Sequence, residues 1–150
     1  MKLSMRSGGK VGTKALQAKF KRLAKKTSNK GALFKRIGVV VLNEIDNTFR
    51  EETHEGEPWE PLKLATIARR RGGGIARILQ DTGTLKRSFG IDATLNLVRI
   101  GTPIIYAPPH QEGEGNLPER PMIPSKKRGL EIAVKVGNSY IKESIQKARL

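Results

Sequence analysis

The sequence predicts an α+β fold: a small antiparallel β-sheet, made of a hairpin plus Pro-rich edge strands, packed by long N-terminal and C-terminal helices. Three observations carry that prediction. Leu33, Ile37, Val41, Ile45 and Phe49 recur at strict i+4 spacing, the mark of one helical face. Phe89-Gly90-Ile91-Asp92-Ala93 and Leu97-Val98-Arg99-Ile100-Gly101-Thr102 flank a turn near Thr94 to Asn96, and Val98 and Ile100 face away from Leu97 and Arg99, as in an antiparallel hairpin. Pro124-Ser125 then announces a last helix with Ser125 as its N-cap.

Residues 1–12 are small, Gly-containing and basic, and are expected to form a flexible basic N-terminus ahead of a single α+β domain over residues 13–150. From about Thr13, Leu16, Phe20, Leu23 and Ala24 recur at helical spacing with Lys and Arg between them. Thr27-Ser28-Asn29 and Gly31 interrupt this short helix and can cap the next. The second helix is expected from Asn29 or Lys30 to Glu52, with Phe34, Val40 and Thr48 beside the main stripe, as the central core helix. Its first turns carry Lys30, Lys35 and Arg36, and its last carry Glu51 and Glu52. Both ends oppose the helix dipole, at about 0.3 kcal/mol or more per exposed charge. Packing must outweigh that, or partners must compensate the ends.

His54-Glu55-Gly56-Glu57-Pro58-Trp59-Glu60-Pro61-Leu62 is an acidic, Pro-rich connection in which the prolines forbid a continuing helix. A short helix is expected from Lys63 to Arg71, then a flexible joint at Gly72-Gly73-Gly74. Ile75 to Leu79 is apolar, and Thr84-Leu85-Lys86-Arg87-Ser88 suits a short helix behind a Thr82 cap. Residues 103–124 hold six of the eight prolines, so only short strands are expected, around Ile104–Ala107 and Arg120–Ile123, with a long loop at 109–118. In the last helix Leu130, Val134, Gly137, Ile141, Ile145 and Ala148 form the expected apolar line, with Ala133 and Tyr140 beside it.

The chain has 150 residues and no Cys, which excludes a disulfide framework and a thiolate zinc site. Hydrophobic residues make up 37%, enough for a core without a metal staple. Formal net charge is +15, unevenly placed: Met1 to Arg36 carries 12 Lys or Arg and no acid. The stretch from Glu44 to Glu60 then carries seven acids against one base, Arg50. Such an asymmetry predicts salt-sensitive attraction to something acidic, nucleic acid or an acidic protein surface. The longest aliphatic stretch, Val39-Val40-Val41-Leu42, is far short of a membrane span, no signal peptide is visible, and a soluble, reducing compartment is expected.

Enzyme chemistry finds little footing. Gly9-Lys10-Val11-Gly12-Thr13 lacks the Lys-Ser/Thr pair of a phosphate loop. His110-Gln111-Glu112 could offer a metal or general-base pair, but a hydrogen-bonded loop histidine is the plainer reading. Glu55 and Glu57 form a carboxylate pair that suits a solvated or partner-facing acidic loop better than a catalytic site. Asp81-Thr82-Gly83 matches the aspartic-protease triplet but follows a helix-like segment, and that chemistry needs two such carboxylates. No catalytic residue, cofactor or metal is therefore expected. For DNA, the basic region offers phosphate attraction through Lys10, Lys14, Lys19, Lys21, Arg22, Lys25 and Lys26, without exposed stacking aromatics or a recognition motif.

Several segments together resemble one family. They are Trp59-Glu60-Pro61-Leu62, Thr66-Ile67-Ala68-Arg69-Arg70-Arg71, Ile78 through Ser88, Val98-Arg99-Ile100-Gly101-Thr102, Tyr106-Ala107, His110-Gln111-Glu112-Gly113 and Pro118-Glu119-Arg120-Pro121. In this order they resemble the virion morphogenesis family of tailed bacteriophages, also described as Mu-like protein G and tail-completion proteins, from about Lys14 to Leu150. One departure is Pro108-Pro109, where small or aliphatic residues would be expected. The resemblance implies a non-enzymatic structural role at the head–tail junction of the virion, with assembly in the host cytoplasm. It implies a homo-oligomeric ring, six-fold or twelve-fold, contacting other neck, connector and tail proteins, with DNA passing through the channel.

A ring needs one patch to meet a different patch on the next copy. The expected interface residues are Glu55 and Glu57 on the acidic side and Lys21, Arg22, Lys25 and Lys26 on the basic side, with His110 and Arg120 in the Pro-rich segment. Trp59 suits either an interface anchor or a cap over the core. Arg69, Arg70 and Arg71 suit either a DNA-facing or a solvated loop.

Overall fold

The computed structural model describes residues 30–70 and 76–148, together with Ala18, Lys21 and Lys25. Along them run α1 (Lys30–Glu51), β1 (Thr53–His54), β2 (Glu57–Pro58), α2 (Leu64–Ala68), α3 (Thr84–Arg87), β3 (Gly90–Ala93), β4 (Val98–Gly101), α4 (Ala107–Glu112) and α5 (Lys126–Ala148). Among the described residues the fold is α+β, with two antiparallel two-stranded sheets between the long helices.

α1 is the axis, 22 residues long, or about 33 Å at the α-helical rise. Its i+4 stripe turns inward as expected: Val41, Ile45 and Phe49 are buried, and Ile37 packs against them. Phe49 is fully enclosed, with Trp59 edge-on at 5.5 Å between ring centroids and Phe89 at 6.0 Å. Edge-on rings set the positive rim of one against the negative face of the other.

The expected hairpin forms as β3 and β4, paired Gly90↔Gly101 through Ala93↔Val98. It sits on α1 at Gly38. A Cβ there would stand 2.7 Å from Ile91 Cγ2 and 3.1 Å from Val98 Cγ2, so the absent side chain is what lets the sheet approach the helix.

A second hairpin, β1–β2, lies where an irregular connection was expected. Glu55 and Gly56 form its two-residue turn with φ of 51° and 95°. Positive φ at both positions is the type I′ pattern, usually signalled by Asn-Gly or Asp-Gly, which this sequence lacks.

α5 runs antiparallel to α1. Arg36 donates to Glu143 at 2.9 Å and lies over the Tyr140 ring at 5.3 Å. Further along α1, Glu44 meets the earlier Arg128 at 2.7 Å. Contacts within the chain also offset part of the dipole problem, with Lys30 and Lys35 forming no ion pair among the described residues. Arg36 has Glu143, Glu51 has Arg50 at 3.5 Å, and Glu52 accepts the Ile78 N–H at 2.9 Å.

The apolar line expected to bury α5 is corrected. Leu130 is 66% and Val134 54% exposed, and Ile141 and Ile145 are exposed as well. Ile132 is buried instead, and Val136 packs against the core. α5 carries two adjoining apolar arcs, and the arc facing α1 is the one covered. Periodicity shows that a face exists but not which of two faces meets a partner. Ser144 is buried among them, its hydroxyl satisfied by the Tyr140 carbonyl at 2.8 Å.

The Pro-rich edge strands are also corrected. Neither Ile104–Ala107 nor Arg120–Ile123 forms a strand, and the expected 109–118 loop begins inside a helix, since 109–112 belong to α4. Pro108 and Pro109 sit in the first turn of α4, where helix N–H groups have no intrahelical partner to lose. Gly113 ends α4 in the left-handed region at φ 68°.

Candidate interaction surfaces

The acidic and Pro-rich segments are fastened to each other by side chains. The Trp59 indole N–H donates to the Pro121 carbonyl at 3.0 Å. Arg120 is only 5% exposed, and its guanidinium donates to the Glu60 carbonyl at 3.1 and 2.8 Å. Gln111 Oε1 accepts the N–H groups of Met122 and Ile123 at 2.8 and 3.1 Å, and His54 Nε2 lies 3.1 Å from the Ile123 carbonyl. These bonds replace the strand ladder that the prolines prevent.

The interface candidates sort accordingly. Trp59 is 5% exposed and belongs to the core, as a cap over Phe49. Arg120 is likewise committed inside the chain. Glu55 reaches the start of α5, accepting the Ser125 N–H at 2.7 Å and the Ser125 hydroxyl at 3.1 Å. That backbone hydrogen bond holds its carboxyl below the usual carboxylate range, with nearby His54 and Arg128 acting in the same direction. Glu57 is exposed on β2. Arg69 is exposed, whereas Arg70 is half-buried and donates to the Arg77 carbonyl at 2.8 Å. Lys21 and Lys25 are helical and exposed. Arg22, Lys26 and Arg71 lie outside the described residues.

His110 lies on α4, half-buried, and its Nδ1 has no hydrogen-bond partner among the described residues. Burial, helped by the charge of Arg120, lowers its pKa, so the neutral ring is favoured. Asp81 is exposed, and the expected Thr82 cap is corrected: Gly83 is the N-cap of α3, at φ 70° and without a side-chain cap bond, while Thr82 Oγ1 accepts the Thr84 N–H at 3.3 Å. Among the described residues no group of three His, Asp or Glu side chains could hold a metal ion, and no helix is long and apolar enough to cross a membrane.

Two features that the sequence reading missed lie on the surface. One is a mainly apolar groove between α1 and α5, about 710 Å³, floored by Val39, Val40 and Val136 with Lys35 and Lys135 on its rims. The other is the stretch from Ile105 to Glu119, where Ile105 is 89% exposed and Tyr106 and Leu117 are also exposed. From the sequence, Val40 stands only as a neighbour of the core stripe, Val39 only in the longest aliphatic stretch, and Ile105 only in a Pro-rich edge.

Residues 11–141 match the model of the phage virion morphogenesis family. The chain belongs to this family. A phage virion morphogenesis protein has a structural or assembly role in the virion. No curated protein and no solved structure matches the chain.

Proposed function

We propose that this protein is a structural component of the head–tail junction, a neck or tail-completion protein that forms a ring joining head to tail. The observation that carries the reading is the family match over residues 11–141. The ring is six-fold or twelve-fold, is built in the host cytoplasm, is retained in the particle, and contacts the neighbouring neck, connector and tail proteins. It works by packing and charge rather than by catalysis. The surface supports this reading through unlike patches: the start of α1 and most of α5 are basic, whereas the stretch after β4 has Glu112, Glu114 and Glu119 and no Lys or Arg. Unlike patches on one chain permit head-to-tail contacts, the kind that close into rings.

Phage lacking this gene are expected to accumulate DNA-filled heads and unattached tails. Normally joined particles from such a deletion would overturn the reading. Finding the protein in assembling but not in finished particles would instead identify a transient capsid assembly factor.

A second reading has its own observation, the 12 bases without an acid from Met1 to Arg36. It makes the protein a nonspecific DNA binder, with DNA in the channel as the natural target. It requires salt-dependent DNA binding that is lost when residues 1–30 are removed. Binding that survives the truncation excludes it.

A further inference from the structure

We infer that the groove between α1 and α5 receives the Ile105–Tyr106 corner and the following acidic loop of a second copy of this chain. This rests on the ring reading above and names the contact by which one subunit holds the next. The groove is mainly apolar, floored by Val39, Val40 and Val136. Val39 and Val40 are exposed although they lie midway along the central helix. An uncovered apolar floor of this kind is a common mark of a protein–protein contact.

The rims identify the occupant. Lys35 and Lys135 flank the floor, and neither forms an ion pair among the described residues. Arg36, also on the rim, is already held by Glu143. The groove therefore suits an apolar plug followed by carboxylates. The chain itself presents one. Ile105 and Tyr106 are exposed on the turn before α4, and Glu112 and Glu114 follow, exposed and without ion pairs among the described residues. The chain's own leading segment is a poorer occupant, because Lys10 to Lys26 is basic like the rims and contains no acid.

Geometry makes the contact heterologous. The groove lies along the first half of α1, whereas the Pro-rich segment is fastened near its last turn through Trp59 and Phe49. Val39 and Phe49 are about 15 Å apart along the helix axis. Groove and plug are thus separate patches, and each copy can receive one neighbour while it inserts into another.

The absence of Cys allows a direct test on the full chain. A Val39→Cys, Tyr106→Cys double variant, mildly oxidised, should give a ladder of disulfide-linked multimers on a non-reducing gel. Charge reversal supplies the second readout, by light scattering after size exclusion. Lys35→Glu with Lys135→Glu should give monomers, and so should Glu112→Lys with Glu114→Lys. Mixing the two in equal amounts should restore the assembly, because every contact is then again between opposite charges. A circular dichroism melt close to that of the native chain shows that each variant is folded.

An assembly unaffected by either reversal overturns this contact and leaves the ring reading standing. A native chain that stays monomeric at high concentration overturns both. Loss of assembly with the groove variant alone overturns the Ile105–Tyr106 assignment, because a different segment of the second copy then occupies the groove. Loss of assembly when residues 1–28 are deleted from the native chain overturns the assignment in favour of the chain's own leading segment.

Discussion

Glu55 holds Ser125 by two hydrogen bonds, at 2.7 Å to its N–H and 3.1 Å to its hydroxyl. Ser125 in turn accepts the Arg128 N–H at 3.2 Å through its side-chain oxygen. The turn of a small hairpin thus orients the N-cap of a helix that follows 70 residues later. A carboxylate there also meets the positive end of the helix dipole. Replacing Glu55 by Ala should cost about 1 kcal/mol, less than a buried charge-assisted bond because the carboxylate is partly solvated. The pH dependence has a definite sign. A lowered carboxyl pKa stabilises the fold above the usual carboxylate range, and that stability fades as pH falls through the lowered value. Urea titrations at falling pH should show the native chain losing its advantage over Glu55→Ala in that acid window.

His110 gives a pH effect in a higher window. Its pKa is lowered, so the unfolded state takes up a proton first as pH falls below about 6.5. Stability should be greatest above that pH and decline through the window down to the folded-state value. His110→Gln should flatten the slope of melting temperature against pH between about 7 and 5. An unchanged slope would refute the assignment.

Gly113 and Gly115 make a matched pair. Both have positive φ, 68° and 66°. A Cβ on Gly113 would stand 3.0 Å from the Glu119 backbone nitrogen, whereas nothing lies within 4 Å of one on Gly115. Gly115→Ala should cost about 1 kcal/mol for the left-handed backbone alone. Gly113→Ala should cost about 2 kcal/mol or more, since backbone must also shift. Chemical denaturation of the two variants separates the terms.

Gly38→Ala sets two effects in opposition. Alanine favours the helix by about 1 kcal/mol. Overpacking against Ile91, whose Cγ2 would be 2.7 Å away, works against it. Such overpacking typically costs about 1–3 kcal/mol, so net destabilisation is expected. In an Ile91→Ala background the same change should become neutral or stabilising, a coupling that a double-mutant cycle measures.

Arg120→Lys should behave as a severe change despite the kept charge. The guanidinium reaches the Glu60 carbonyl with two nitrogens and the Pro61 carbonyl at 3.4 Å with one of them. An ammonium cannot reproduce that planar fork. A loss of about 2 kcal/mol is expected by urea titration.

Legibility in the sequence followed the strength of local signals. The α1 stripe from Leu33 to Phe49 was readable because five residues repeat one spacing, and the helix packs on the core along that face from Ile37 to Phe49. The hairpin of β3 and β4 was readable from alternation, and Ser125 from its place before an apolar helix. Leu130, Val134, Ile141 and Ile145 misled because α5 has more apolar surface than α1 covers. The turn at Glu55-Gly56 was hidden because Glu stands where Asn or Asp is usual, and the helix through Pro108-Pro109 because two adjacent prolines read as a loop although both fit a first helical turn. Among interface residues, Trp59 and Arg120 were conspicuous by type but are spent on long-range bonds to Pro121 and Glu60 that no local pattern encodes.

The stretch from Gln111 to Ile123 is held by the Met122 side chain, seated in the core at 1% exposure, and by separate pins: the Trp59 indole, the Arg120 guanidinium, the Gln111 amide and the His54 ring. A strand in a ladder melts with its neighbours, but pins can be withdrawn one at a time. Local opening here is therefore graded, and its free energy can be set by single substitutions below the cost of global unfolding. Evolution can loosen or tighten the Gln111–Pro121 part of this tongue in small steps while Met122 stays seated in the core beside it.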